Sequence, residues 1–203
     1  SHGVPKAVYD SLLEKKADFV DATCPFVAKI HNIVSKASAE GKTVLIAGDA
    51  HHPEVEGIRG HCTGKCHVFK NAGELQNILE RFPAVQEDSP CVVAQTTFSV
   101  SEWENCLEML KRVYTNATIF DTICNATAKR QSEAEFLSRQ CDAMIVIGGR
   151  ESSNTAKLRD VCMKNCTTYL IETADELPLS VLKESECIGI TAGASTPVSI
   201  IKE

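Results

Sequence analysis

The chain repeats itself. Asp21-Ala22-Thr23-Cys24-Pro25, followed by Lys29, returns 100 residues later as Asp121-Thr122-Ile123-Cys124-Asn125, followed by Lys129. The likeness continues past each cysteine: a helical stretch, then an apolar run ending in glycine (residues 43–48 and 143–148), then a polar loop, His51-His52-Pro53-Glu54 in one half and Ser152-Ser153-Asn154 in the other. Further on, residues 68–75 answer residues 169–177, and each half closes in a short apolar strand, residues 91–97 and 187–195. Such a repeat constrains the fold more than composition does, because each copy must pack as the same kind of unit and carry its thiol to the same structural address.

The apolar runs are short, β-branched and nearly continuous, with helical patterns between them, which favours parallel strands covered on both faces. The expected class is α/β: two pseudo-repeated domains, residues 1–98 and 99–203, each a small mainly parallel sheet flanked by helices. Pro5 suits a first helical turn before a stripe of Val8, Leu12 and Leu13, and Gly41 suits the end of a helix bearing Val27, Ile30, Val34 and Ala37. Ser101 and Glu104 have capping-box spacing ahead of Trp103, Leu107 and Leu110, on a helix expected to bridge the lobes. The repeat also has a fault. Ser1-His2-Gly3-Val4 stands in the phase of Thr97-Phe98-Ser99-Val100 with no strand before it, and Ile200-Ile201-Lys202-Glu203 stops inside the next expected helix, so a piece of a longer protein is expected.

With 203 residues, 43% of them hydrophobic, the chain can bury a sizeable core without metals or disulfides as staples. A net charge of -6 with scattered Lys and Arg offers no basic stripe, so nucleic acid is not indicated as a partner. No apolar run approaches the roughly 18 residues of a membrane span. Ten cysteines in a core-rich chain read as reduced intracellular thiols, with Cys91, Cys106, Cys141, Cys162 and Cys187 expected as small core residues.

In open α/β sheets, ligands gather outside the carboxyl ends of the strands. Cys24, His52-Pro53-Glu54 and Thr96-Thr97 fall there in the first half, as do Cys124, Ser152-Ser153-Asn154 and Ser195 in the second, and edges facing one another would gather all of them in one cleft. Cys24 and Cys124 stand at strand-to-helix junctions, where backbone N–H groups stabilise a thiolate. They suit soft-metal ligation, nucleophilic attack or a structural role. Two thiolates cannot complete a four-cysteine iron-sulfur site, so ligation would need partners from elsewhere. His52 and Glu54 pair an imidazole with a carboxyl able to carry a proton, or form an ordinary polar loop. Ser152, Ser153, Asn154 and Ser195 offer hydroxyls and an amide to phosphate oxygens, or cap helices. His61-Cys62-Thr63-Gly64-Lys65-Cys66-His67 concentrates metal-binding side chains without zinc-finger spacing and is expected to be a surface loop.

Taken in order, Ser1-His2-Gly3-Val4, Asp21-Ala22-Thr23-Cys24-Pro25, His52-Pro53-Glu54-Val55-Glu56-Gly57, Gln95-Thr96-Thr97, Cys124-Asn125-Ala126-Thr127, Ser152-Ser153-Asn154 and Thr191-Ala192-Gly193-Ala194-Ser195 closely resemble the 4-hydroxy-3-methylbut-2-enyl diphosphate reductases of the non-mevalonate isoprenoid pathway. The resemblance runs from end to end and implies three related α/β domains around a 4Fe-4S cluster with three cysteine ligands. Cys24 and Cys124 would be two of them. The third would lie in an N-terminal domain absent from this chain, which alone would then be inactive. The likeness further implies a diphosphate pocket of His2, His52, Ser152, Ser153, Asn154 and Ser195, with Glu54 as proton donor and Thr96 beside it at the substrate hydroxyl. It implies an allylic diphosphate substrate, a ferredoxin or flavodoxin as electron donor, and a cytoplasmic setting of bacterial or plastid type. The residues alone also admit a non-enzymatic α/β module binding a phosphorylated metabolite, or a cysteine-dependent transferase.

Overall fold

The structure, a computed structural model, describes residues 2–82, 89–177 and 179–202. Ser1 of the first motif and Glu203 of the last lie outside the described residues. Two compact units divide the chain, Ser1–Ile123 and Cys124–Glu203.

In the first unit, helix α1 (Lys6–Glu14) and helix α2 (Pro25–Ala39) precede strand β1 (Val44–Ala47). Helix α3 (Pro53–Arg59), strand β2 (Cys66–Phe69), helix α4 (Ala72–Arg81), strand β3 (Cys91–Ala94), helix α5 (Val100–Val113) and strand β4 (Thr118–Ile119) follow. The sheet order is β2-β1-β3-β4, parallel throughout. Strands β1 and β3 are buried at every position, which is why they read as continuous apolar runs. One face is covered by Ile30, Val34, Val55 and Ile58, the other by Leu75, Leu79, Trp103, Cys106 and Leu110.

The second unit repeats the plan: helix α6 (Asn125–Ser138), strand β5 (Ala143–Ile147), helix α7 (Ser153–Cys162), strand β6 (Thr167–Ile171), a 3-10 turn at Ala174–Glu176, helix α8 (Leu179–Leu182), strand β7 (Ile188–Ala192) and helix α9 (Val198–Ile201). Its order β6-β5-β7 is the β2-β1-β3 of the first sheet. Among the described residues no helix is long and apolar enough to cross a membrane.

The repeat phase, 1–98 and 99–203, and the compact units do not share a boundary. Helix α5 opens the second repeat in sequence, yet Trp103 and Leu110 pack in the core of the first unit, and β4 extends that unit's sheet beside β3. The expected bridge is therefore part of the first unit.

Local signals shift in detail. The cap of α5 is Ser99, whose hydroxyl accepts from Glu102 N at 3.4 Å, two residues before the expected Ser101. Ser99 and Glu102 carry the same spacing, and Glu102 turns instead to Ala72 N at 2.8 Å, so the reciprocal half of a capping box is not made. Pro5 is the cap of α1 rather than its first residue, and the Val8, Leu12, Leu13 stripe buries nothing, Leu13 being 66% exposed. Gly41 does end α2, at φ +76: its N–H donates to Ser38 O, and the next N–H, from Lys42, reaches Ala37 O, the Schellman pattern. Cys91, Cys106 and Cys162 are core residues as expected, but Cys141 is half-exposed and Cys187 exposed, because both precede their strands rather than lying within them.

Candidate functional site

Each repeated cysteine is presented by the same local device. Asp21 Oδ1 accepts from Thr23 N at 2.9 Å, and Asp121 Oδ1 from Ile123 N at 3.4 Å, an aspartate turn that ends the extended segment two residues on. The cysteine then caps a helix: Cys24 has φ -56 and ψ 133 before α2, Cys124 has φ -65 and ψ 131 before α6. Both carbonyls open the helix by accepting from the N–H four residues on, Ala28 and Ala128, at 2.9 Å. Neither sulfur serves as a cap acceptor, and both side chains are half-exposed, so each thiol is left free at a helix N-terminus.

Supports differ between the copies. Tyr9 Oη donates to Asp21 Oδ2 at 2.9 Å and lies 3.0 Å from Thr23 Oγ1, tying the first turn to α1. Thr122 Oγ1 donates to Ala94 O at 2.6 Å and accepts from Ala94 N at 2.8 Å, tying the second turn to the end of β3.

At the carboxyl edge of the first sheet, Glu54 is 1% exposed on α3. Its two oxygens are taken by one residue: Thr96 N donates to Oε1 at 2.6 Å and Thr96 Oγ1 to Oε2 at 2.7 Å. A buried carboxyl requires such partners. His52 caps α3, its Nδ1 accepting from Glu54 N at 3.1 Å, which fixes the tautomer so that Nε2 carries the hydrogen. Burial pushes the His52 pKa down, the Glu54 charge opposing it. The His2 ring meets the His52 ring edge-on, with centroids 5.1 Å apart. The structure thus brings His2, His52, Glu54 and Thr96 together. Gln95, also buried, braces the strand end: its Oε1 accepts from Asp49 N at 3.1 Å and its Nε2 donates to Thr97 Oγ1 at 3.0 Å.

The equivalent edge of the second unit is built around glycines. Ser152 caps α7, its Oγ accepting from Thr155 N at 3.4 Å, so here the bland capping role is real and Ser153 and Asn154 occupy the first helical turn. Asn154 is 6% exposed, and both its Oδ1 and Nδ2 lack a partner among the described residues. An orphaned buried amide at a helix N-terminus is what a polar ligand would satisfy. A Cβ on Gly148 (φ +149) would lie 2.7 Å from Thr155 Oγ1, and one on Gly193 would lie 2.2 Å from it. Only glycine lets the ends of β5 and β7 close on α7. Ser195 stands exposed in the turn after β7, next to Thr196, whose hydroxyl donates to Ile147 O at 3.0 Å.

Sequence reading passed over His31, which is 5% exposed with its Nε2 unpartnered among the described residues. It stacks on His61, centroids 4.0 Å apart and 22° between planes. A Cβ on Gly3 (φ +71) would fall 2.4 Å from His31 Cε1, and one on Gly57 would fall 3.4 Å from His31 Nε2. The glycines of two motifs were the available signal. His61 Nε2 donates to Val4 O at 3.1 Å, so this part of the metal-like cluster anchors the N-terminal segment. Among the described residues no group of three or more metal-binding side chains is gathered.

The LytB protein family profile matches residues 1–203. The chain is 48% identical over 205 residues to the 4-hydroxy-3-methylbut-2-enyl diphosphate reductase of Alkaliphilus oremlandii, covering 100% of this chain and 71% of that protein. The reductase of the same name from Caldanaerobacter subterraneus subsp. tengcongensis is 46% identical over 204 residues, again across 100% of this chain and 69% of the relative. A solved structure, the E-1-hydroxy-2-methyl-but-2-enyl-4-diphosphate reductase from Plasmodium falciparum, superposes with a TM-score of 0.91 at 28% identity, over 99% of this chain and 63% of its own. The chain belongs to the LytB family, that of the 4-hydroxy-3-methylbut-2-enyl diphosphate reductases.

Proposed function

We propose that this chain carries substrate-binding and proton-delivering parts of a reductase that removes the hydroxyl from 4-hydroxy-3-methylbut-2-enyl diphosphate. Two electrons and two protons enter, and water leaves with formation of isopentenyl or dimethylallyl diphosphate. The observation that carries the reading is the buried Glu54 carboxyl, held at both oxygens by Thr96 beside His52 and His2. A carboxyl in contact with a hydroxyl is a proton relay: Thr96 orients the substrate hydroxyl and Glu54 delivers the proton that turns it into departing water. With Nδ1 occupied, His52 has its Nε2–H left to donate to a diphosphate oxygen, with His2 beside it. In the second unit Asn154, Ser152, Ser153 and Ser195 offer an amide and hydroxyls suited to phosphate oxygens.

The matched cysteines fit as ligands of a 4Fe-4S cluster, since both sulfurs are uncommitted at helix N-termini. When bound, the cluster supplies electrons and an iron Lewis acid without a cysteine ligand. The third thiol comes from outside residues 1–203. Residues 17–20 support a preceding unit: they correspond to residues 117–120, which run along β3, yet Val20 is 94% exposed where Phe120 N donates to Val92 O at 2.9 Å. All ten cysteines are free, which fits a reducing compartment such as the cytoplasm, with a ferredoxin or flavodoxin as electron donor.

The test is Glu54→Gln in the full-length parent protein purified without oxygen. Iron content and diphosphate binding stay as in the parent, while turnover falls by about two to four orders of magnitude, the usual worth of a positioned acid. Unchanged turnover removes Glu54 from the role. A parent protein that binds the diphosphate but holds no cluster and turns nothing over is a binding module instead.

A further inference from the structure

The cysteines that leave the core lie at the end of the second sheet opposite Ser152, Asn154 and Ser195. Cys187 directly precedes strand β7 and Cys141 stands two residues before the neighbouring parallel strand β5, and the Cys187 thiol donates to Cys141 Sγ at 3.3 Å. The approach is built into the backbone. Asp142 N donates to Cys187 O at 2.9 Å, while Asp142 Oδ2 accepts from both Glu186 N and Cys187 N at 2.9 Å, so the residue beside one cysteine clamps the peptide on either side of the other. Gly189 leaves the space: a Cβ there would lie 3.1 Å from Cys141 Sγ and 2.2 Å from Met144 Sδ. The sulfurs are 3.3 Å apart, so closing them to the ~2.0 Å of a disulfide asks for a shift of about 1 Å.

We propose that Cys141 and Cys187 form a dithiol modification site that closes to a disulfide by exchange with a small disulfide such as oxidised glutathione. Cys187 is exposed and is the sulfur such a molecule reaches first; Cys141 is half-exposed. The Cys187 thiolate attacks, the small disulfide's S–S bond breaks, and one small thiol leaves. Cys141 sulfur then attacks Cys187 sulfur in the mixed disulfide, its proton going to the second departing thiol. Two protein thiols are oxidised to one disulfide, and one small disulfide is reduced to two thiols. Within this unit Ser152, Ser153, Asn154 and Ser195 are at the other end of the strands, so the bond alters none of them.

The full chain is incubated with oxidised glutathione, quenched with acid and digested without reductant. The expected result is a peptide linking Cys141 to Cys187, loss of two titratable thiols and no retained glutathione. Cys141→Ser should hold a stable glutathione adduct on Cys187, and Cys187→Ser should form neither link nor adduct there. A persistent adduct on Cys187 in the unmodified chain overturns the proposal, as does a Cys141–Cys166 link or reaction confined to Cys24, Cys124 or the Cys62–Cys66 pair. Digestion of the unmodified chain decides the matter even if a serine variant fails to fold.

Discussion

At the scale of single residues, the chemistry divides into groups whose partners lie in one motif and groups whose partners are scattered. His52 and Glu54 are two residues apart and hydrogen-bond to one another through the cap of α3, so their pairing was legible in His52-Pro53-Glu54 itself. His31 was not legible, because its burial depends on Gly3, Gly57 and His61 arriving from separate segments. Its titration gives a prediction. Burial first, then the nearby His61, pushes the His31 pKa down from 6.5 to about 4. Above 6.5 the ring is neutral whether the chain is folded or not, and stability is unaffected. Between 6.5 and about 4 the unfolded chain takes up a proton that the folded chain refuses, so stability falls as pH falls, by at most about 1.4 kcal/mol per pH unit for this one group. His52, His61 and His67 are lowered as well and act in the same direction. Urea midpoints from pH 8 to pH 4 should therefore decline on the acid side, with a shallower decline in His31→Gln; equal slopes in the two proteins would discard the assignment.

At the scale of elements, caps and turns were readable to within a residue or two. Where two signals overlapped, packing chose. Ser99 and Ser101 are both followed by glutamate at the third position, and the choice of Ser99 lets Trp103 and Leu110 face Leu75 and Leu79. Helix α1 shows the opposite limit: its apolar spacing is helical, yet none of its residues is buried, since periodicity fixes which positions share a face and not what covers that face. Gly41 isolates a backbone effect, as a Cβ there meets nothing within 4 Å while φ is +76. Gly41→Ala should lower stability by about 1 kcal/mol through the left-handed conformation alone. Denaturant titration followed by Trp103, the chain's one tryptophan, reads this, and an unchanged midpoint would mean that α2 ends differently.

At the scale of the whole molecule, duplication is the organising fact: two sheets sharing one three-strand order, each preceded by an aspartate turn and a cysteine cap with matching dihedral angles. Cys24→Ser and Cys124→Ser should each lower the iron retained by the anaerobically reconstituted parent protein, and the double variant should retain least, measured as iron and sulfide per chain. Full iron in either single variant would end its ligand role. The sequence by itself determined the α/β class, the parallel pairing, the two cysteine caps and the family, because these follow from local periodicity, short-range hydrogen bonds and motif order. Only tertiary structure decided that α5 and β4 complete the first unit, that Thr96 holds both oxygens of Glu54, that Asn154 is buried without a partner, and that Cys141 and Cys187 leave the core to meet each other. Those outcomes depend on contacts between residues far apart in the chain, whose geometry is set by packing density and by the few glycines that let backbones approach, and no local pattern encodes them.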